Sequence, residues 1–224
     1  SWGTCAKMRV SYGGKGEERM EWNIPEDLRD YVQGQVLPLY QRSDSAHGPE
    51  HIRQVLANSW ELAQGLGADL RLVYVVAAYH DLGIAFFGRQ DHHLTSARLL
   101  REDGALSQWF TPEERETMAQ AVEDHRASVD REPRSLYGKI VSEADRDIDP
   151  ERIVRRVMEY GKARFPEKDT SWQVRRAVEH IREKYGEGGY LKLWLHSPRN
   201  QAGLDKLRQW LATGELEEVC KRYG

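Results

Sequence analysis

Four side chains from three separate stretches have the types and neighbours that chemistry at a metal ion requires: His51, the adjacent pair His80 and Asp81, and Asp145. Val73, Val76 and Ala77 precede His80 by seven, four and three residues, which sets the imidazole on an inward helical stripe. His51 stands four residues before Val55, and Asp145 four after Val141, so each shares an apolar face. A buried charge without a partner shifts its pKa until it neutralises, so these groups need one another or a cation. Two imidazoles and two carboxylates form a mixed nitrogen and oxygen set, suited to magnesium or a divalent first-row cation and less to a thiolate-preferring one. A metal in such a set lowers the pKa of a bound water and clamps a phosphoryl oxygen, which is what hydrolysis of a phosphate ester or anhydride requires.

The elements that must position these residues read as helices throughout. The continuous apolar run Leu72 to Tyr79 predicts a buried core helix, capped by Asp69 and carrying His80-Asp81 at its inner end, with Gly83 as the break beyond it. Pro25, Glu26 and Asp27 open an earlier helix whose stripe is Leu28, Tyr31, Val32, Gln35 and Val36, ended near Pro38. A helix from about Pro49, with Ile52, Val55, Leu56 and Leu62 inside, carries His51 and finishes at Gly65 and Gly67. Asp91 reads as the N-cap of HHLTSARLL, and Thr111, Pro112 and Glu114 form a capping box for a helix ending near His125. SLYGKIVSEADRD turns Leu136, Ile140, Val141 and Ala144 inward, and Asp149-Pro150 caps the next helix. Further helical segments fall at 169–185, at 188–213 with a break at Ser197-Pro198, and at 214–222. The expected fold is all-α, with no strand set. Residues 1–20 read as a flexible N-terminal tail in which Met8 or Met20 could serve as a start, 21–165 as the core, and 166–224 as a C-terminal helical extension packed on it.

Composition narrows the class. Among 224 residues, 31% charged and 39% hydrophobic suits amphipathic helices around a modest core. A net charge of -3 gives no electrostatic argument for nucleic acid or an anionic membrane. Cys5 and Cys220, at opposite ends, offer neither a CxxC zinc site nor a disulfide framework. No apolar run reaches the ~18 residues of a membrane span, and no signal-peptide core is present, so a cytoplasmic location is expected.

The ordered set His51 in HIRQV, His80-Asp81 in AAYHDLG and Asp145 in KIVSEAD resembles the HD-domain metal-dependent phosphohydrolase superfamily over roughly residues 44–165. The D-x-x-H-x-x-x-H-x-x-x-V pattern from Asp44 and the EDHR segment are similar to small bacterial HD hydrolases, some of which cleave nucleoside triphosphates to monophosphate and pyrophosphate. The resemblance implies an HD helical bundle and His51, His80, Asp81 and Asp145 as ligands of a divalent ion, with Mn, Mg, Fe, Co, Ni and Zn not distinguished. It implies a small nucleotide as substrate, ahead of nucleic acid polymers, and no membrane. His92 and His125 stand where the two-metal branch places histidines for a second ion, but HHExxxGxGYP is missing. One metal is therefore expected, with Asp81 accepting a hydrogen bond from the attacking water and His92 or His125 acting on substrate or leaving group. His47 and Asp44 lie beside the first ligand. Of Arg53, Arg89, Arg126 and Arg131, whose guanidinium forks match a phosphate, Arg126 is preferred because it follows His125.

Blander readings stand beside these. Alone, His80-Asp81 is a capped core helix and His92 an exposed first-turn histidine, with His93 facing solvent. His180 and His196 read as structural or surface residues. The arginines around Arg152 and Arg175 read as helix charge pairing, and Trp172, Trp194 and Trp210 as anchors to the core or to a second subunit, so a homodimer is an open expectation. The rival functions are a non-catalytic nucleotide-binding HD module, a metal-free helical interaction protein, and a di-iron oxygenase.

Overall fold

Apolar stripes on successive helices need one another's cover, and in this computed structural model they find it within two units, Ser1–Asp145 and Arg146–Gly224. The structure describes residues 8–10, 20–43, 47–129 and 131–224. Most of the expected N-terminal tail lies outside them, as do Cys5 and Asp44. Within the tail, β1 (Met8–Val10) pairs antiparallel with β2 (Met20–Trp22), Met8 opposite Trp22. Three-residue strands are too short to show a period of two, which is why the sequence did not reveal them.

The first unit is otherwise helical. Its helices are α1 (Glu26–Tyr31), α2 (Pro49–Ala63), α3 (Leu70–Tyr79), α4 (Leu82–Phe87), α5 (His92–Glu102), α6 (Pro112–Asp124) and α7 (Leu136–Ala144). After α1 the chain does not stop at Pro38. It winds on through a π-helical turn, Val32–Val36, and a 3-10 helix, Leu37–Arg42, where proline at the second position needs no donor. The face that matters runs in steps of four: Leu28, Val32, Val36 and Tyr40 are buried, whereas Gln35 is exposed. α3 is buried on every side from Leu72 to Tyr79. Its start is fixed by Asp69, which accepts from Arg71 N at 3.0 Å, and by the Arg71 guanidinium, 2.7 Å from Asp69 and 2.9 Å from Glu114 on α6.

Two details differ from expectation. Gly83 does not end a helix; it lies inside α4, where a Cβ would stand 2.7 Å from Ser96 N and 2.1 Å from Thr95 Oγ1 of α5. Glycine is there so that two helices can touch. Asp91 does not cap α5 with its side chain; its backbone turns left-handed, φ 52°, to start that helix. The capping box at Thr111 forms as read. By length and composition Leu70–Phe87 is apolar enough to cross a membrane, contrary to the count of uninterrupted apolar residues, but it is mostly buried and broken at His80-Asp81.

The second unit holds α8 (Pro150–Arg164), α9 (Thr170–Tyr185), α10 (Pro198–Thr213) and α11 (Glu215–Lys221) around Val154, Met158, Ile181, Leu207, Trp210 and Leu216. α8 was counted with the core before residue 165; its apolar face instead closes on α9, α10 and α11. Residues 188–196 form no helix. Leu191 and Leu193 are buried there between exposed Tyr190 and Lys192, an extended alternation that a helical reading of the segment missed.

Candidate metal centre

The six groups singled out in the first unit stand at helix ends. His51 is the third residue of α2, and His92 is the first of α5. His80, His125 and Asp145 follow the last residues of α3, α6 and α7, and Asp81 precedes α4. Three helices thus bring their carbonyl ends, which favour a cation, to the place where α2 and α5 bring their amide ends, which favour an anion.

His51 Nε2 lies 3.0 Å from Asp145 Oδ1 and 3.3 Å from Asp81 Oδ2. His80 Nε2 lies 3.3 Å from Asp81 Oδ2 and 3.4 Å from Asp145 Oδ1. On the other side of Asp81, His92 Nε2 is 3.3 Å and His125 Nε2 is 3.4 Å from Oδ1. One carboxylate therefore serves two groups able to hold a metal ion, His51–His80–Asp81–Asp145 and Asp81–His92–His125, each with its ligand atoms within 4.8 Å of one another. The doublet and Asp145 converge with His51 as the sequence reading required, and His92 and His125 join them through Asp81.

The chemistry of the donors fits a metal. Nδ1 of His80 lies 2.6 Å from Ala77 O, Nδ1 of His125 2.6 Å from Val122 O, and Nδ1 of His92 3.1 Å from Arg89 O. A carbonyl only accepts, so each Nδ1 carries a hydrogen and Nε2 is the nitrogen turned inward, the anchoring common to metal-bound histidines. Nε2 of His51 and of His80 are buried and meet carboxylate oxygens without making a hydrogen bond. Lone pairs facing one another at 3.0 to 3.4 Å repel unless positive charge lies between them.

Without a metal, that positive charge is a proton. Burial opposes a charge on His51, yet Asp145 and Asp81 raise its pKa to about 9. Burial likewise opposes protonation of His80, and the charges of Asp81 and Asp145 push it well upward. Burial works against the ionised carboxylates of Asp81 and Asp145 too, but the surrounding histidines hold both below the usual range. Both carboxylates are thus ready ligands at neutral pH.

The flanking residues divide. His47 precedes α2 instead of lying on it, and its ring still meets that of His51 edge-on at 5.9 Å. Arg126, half-buried directly after His125, is near enough for its charge to lower the pKa of His93, where burial is the larger cause. His93 is itself half-buried, with Nδ1 enclosed, and not turned to solvent as expected. Arg53 pairs with Glu50 at 3.4 Å, and Arg131 with Asp124 at 2.6 Å. What sequence reasoning did not find is the sharing of Asp81. Its only signal was the coincidence of two further histidines, His92 and His125, at the starts or ends of helical patterns.

Residues 49–147 match the family model described as HD domain. That stretch is similar to the HD domain. HD domains are typical of metal-dependent phosphohydrolases, and the His/Asp cluster lies within the matched stretch. No curated protein and no solved structure matches the chain.

Proposed function

We propose that this chain is a divalent-metal-dependent phosphohydrolase acting on a phosphate ester or anhydride of a small nucleotide. The observation that carries the reading is the convergence of His51, His80, Asp81 and Asp145 on one volume, with Nε2-to-oxygen distances of 3.0 to 3.4 Å. A divalent cation held there supplies a water acidic enough to attack phosphorus, and positive charge for a phosphoryl oxygen. His51, His80, Asp81 and Asp145 hold that ion in place. Asp81 accepts a hydrogen bond from the attacking water and so aims it. His92 or His125, each with Nε2 beside Asp81 Oδ1, takes up at that nitrogen the proton the attacking water gives up and passes it to the leaving oxygen. Arg126 and His47 hold the phosphate from the rim. The test is to strip the protein, reload it with manganese, magnesium, iron, cobalt, nickel or zinc, and assay a nucleotide panel beside His80→Ala and Asp81→Ala. Turnover that is equal in all three proteins removes the proposal. Tight nucleotide binding with no product over hours supports a binding module instead, and native protein found metal-free by elemental analysis supports an interaction protein.

A second reading has an observation of its own. The group Asp81, His92 and His125 gives Asp81 a role on both sides, as two ions sharing a carboxylate require. Two irons and consumption of dioxygen in place of phosphate release would mark the oxidative chemistry.

A further inference from the structure

The turn between α3 and α4 carries His80 and Asp81, and it is held from outside the matched stretch by one atom. Tyr40 Oη donates to the carbonyl of Ala78 at 2.7 Å and accepts from the backbone N–H of Asp81 at 3.3 Å. Tyr40 is fully buried and ends the inward row of the segment Leu37–Arg42. The bond to Ala78 satisfies one of the carbonyls that a helix end leaves open, as the His80 ring satisfies that of Ala77. The bond from Asp81 fixes a residue whose backbone, φ -112° and ψ 6°, sits in the sparsely allowed region between helix and strand. Because Oδ2 of Asp81 faces His51 and His80 while Oδ1 faces His92 and His125, any rotation of its backbone moves both groups at once.

From this geometry we infer that Tyr40 is a positioning residue for the metal centre: its hydroxyl sets the angle at which Asp81 presents its two oxygens. The inference rests on the metal reading above and adds to it a residue that no ligand pattern contains. The Tyr40 hydroxyl meets Asp81 at its backbone N–H, so it acts through the Asp81 backbone. Partners that orient ligands in this way govern metal affinity by about 10- to 100-fold.

The experiment titrates cobalt(II) into the wild type, Tyr40→Phe and Tyr79→Phe, following affinity by calorimetry, the ligand field by visible absorption, and folding by thermal melting. Tyr79→Phe is the matched control, because it also removes a buried tyrosine hydroxyl from the same helix region, one bonded to Asp103 instead of Asp81. Tyr40→Phe is expected to bind cobalt about 10- to 100-fold more weakly than wild type, with a changed absorption band, while Tyr79→Phe keeps wild-type affinity and band even if it melts lower. Equal cobalt affinity and spectrum in Tyr40→Phe and wild type overturn the inference alone, and so does an equal loss in both variants, which would mark a general effect of stability. Wild type that takes up no cobalt overturns the metal reading itself, and this inference with it.

Discussion

Asn58 donates its side-chain N–H to the carbonyl of Ala144, 3.1 Å away, and so ties the helix that carries His51 to the end of the helix that Asp145 follows. Asn58 stands two helical turns beyond His51 on α2, and its own oxygen accepts from Gln54 at 3.0 Å. Replacing it by alanine strands a buried carbonyl beside a metal-site residue. Asn58→Ala is expected to lose about 1–3 kcal/mol of stability, read from urea midpoints, and to weaken cation binding as well. A variant that unfolds earlier but binds cobalt as the wild type does would show that the tie serves the fold alone.

Gly83→Ala tests the contact that brings α5 to Asp81. A Cβ at that position meets Ser96 N at 2.7 Å and Ser96 Oγ at 2.9 Å, so α5 must retreat and take His92 with it. The expected cost is about 1–3 kcal/mol. In the Gly83→Ala background, a further His92→Ala change should alter activity far less than it does in the wild type, a coupling that a double-mutant cycle measures. Independent effects of the two changes would contradict it.

Added cation should stabilise the folded chain. Binding to the folded state alone contributes about 2.7 kcal/mol at a hundredfold excess over Kd, seen as a raised Tm with manganese or cobalt. Asp81→Ala should show no such rise, since Asp81 belongs to both groups, whereas His92→Ala should keep part of it. A rise of equal size in Asp81→Ala would place the cation elsewhere.

A pH effect is expected at Tyr31, which belongs to neither metal-ligand group. Tyr31 and Tyr79 both donate to Asp103 Oδ2, and burial, followed by Asp103, raises the Tyr31 pKa from 10.0 to about 12. The folded chain therefore keeps a proton that the unfolded chain has lost, and stability is complete below pH 10.0 and falls as pH rises towards about 12. Tyr31→Phe lacks this ionisation, so its stability deficit against wild type should shrink across that window. A constant deficit would mean that Tyr31 ionises as easily folded as unfolded.

Much of this was legible because it is local. The apolar run before His80 dictated a buried helix, Thr111 and Asp149 cap as their types demand, and the four-residue steps to Val55 and Val141 put His51 and Asp145 on inward faces. What was not legible depends on neighbours distant in sequence. Gly83 looks like a helix break until Thr95 and Ser96 are seen against it. Tyr40 looks like an ordinary core tyrosine, for no spacing rule leads a hydroxyl to a carbonyl 38 residues away. α8 carries a stripe as good as that of any core helix, and only packing tells which core it serves. The roles of His92 and His125 turn on a single carboxylate whose two oxygens look opposite ways.

The carbonyl ends of α3, α6 and α7 meet beside Asp81 and Asp145, and the amide ends of α2 and α5 reach the same corner with His51 and His92. The first kind of helix end draws a cation and the second an anion. Under the phosphohydrolase reading, the two opposite charges of the reaction, cation and phosphate, thus each find a helix end of the matching sign at one corner.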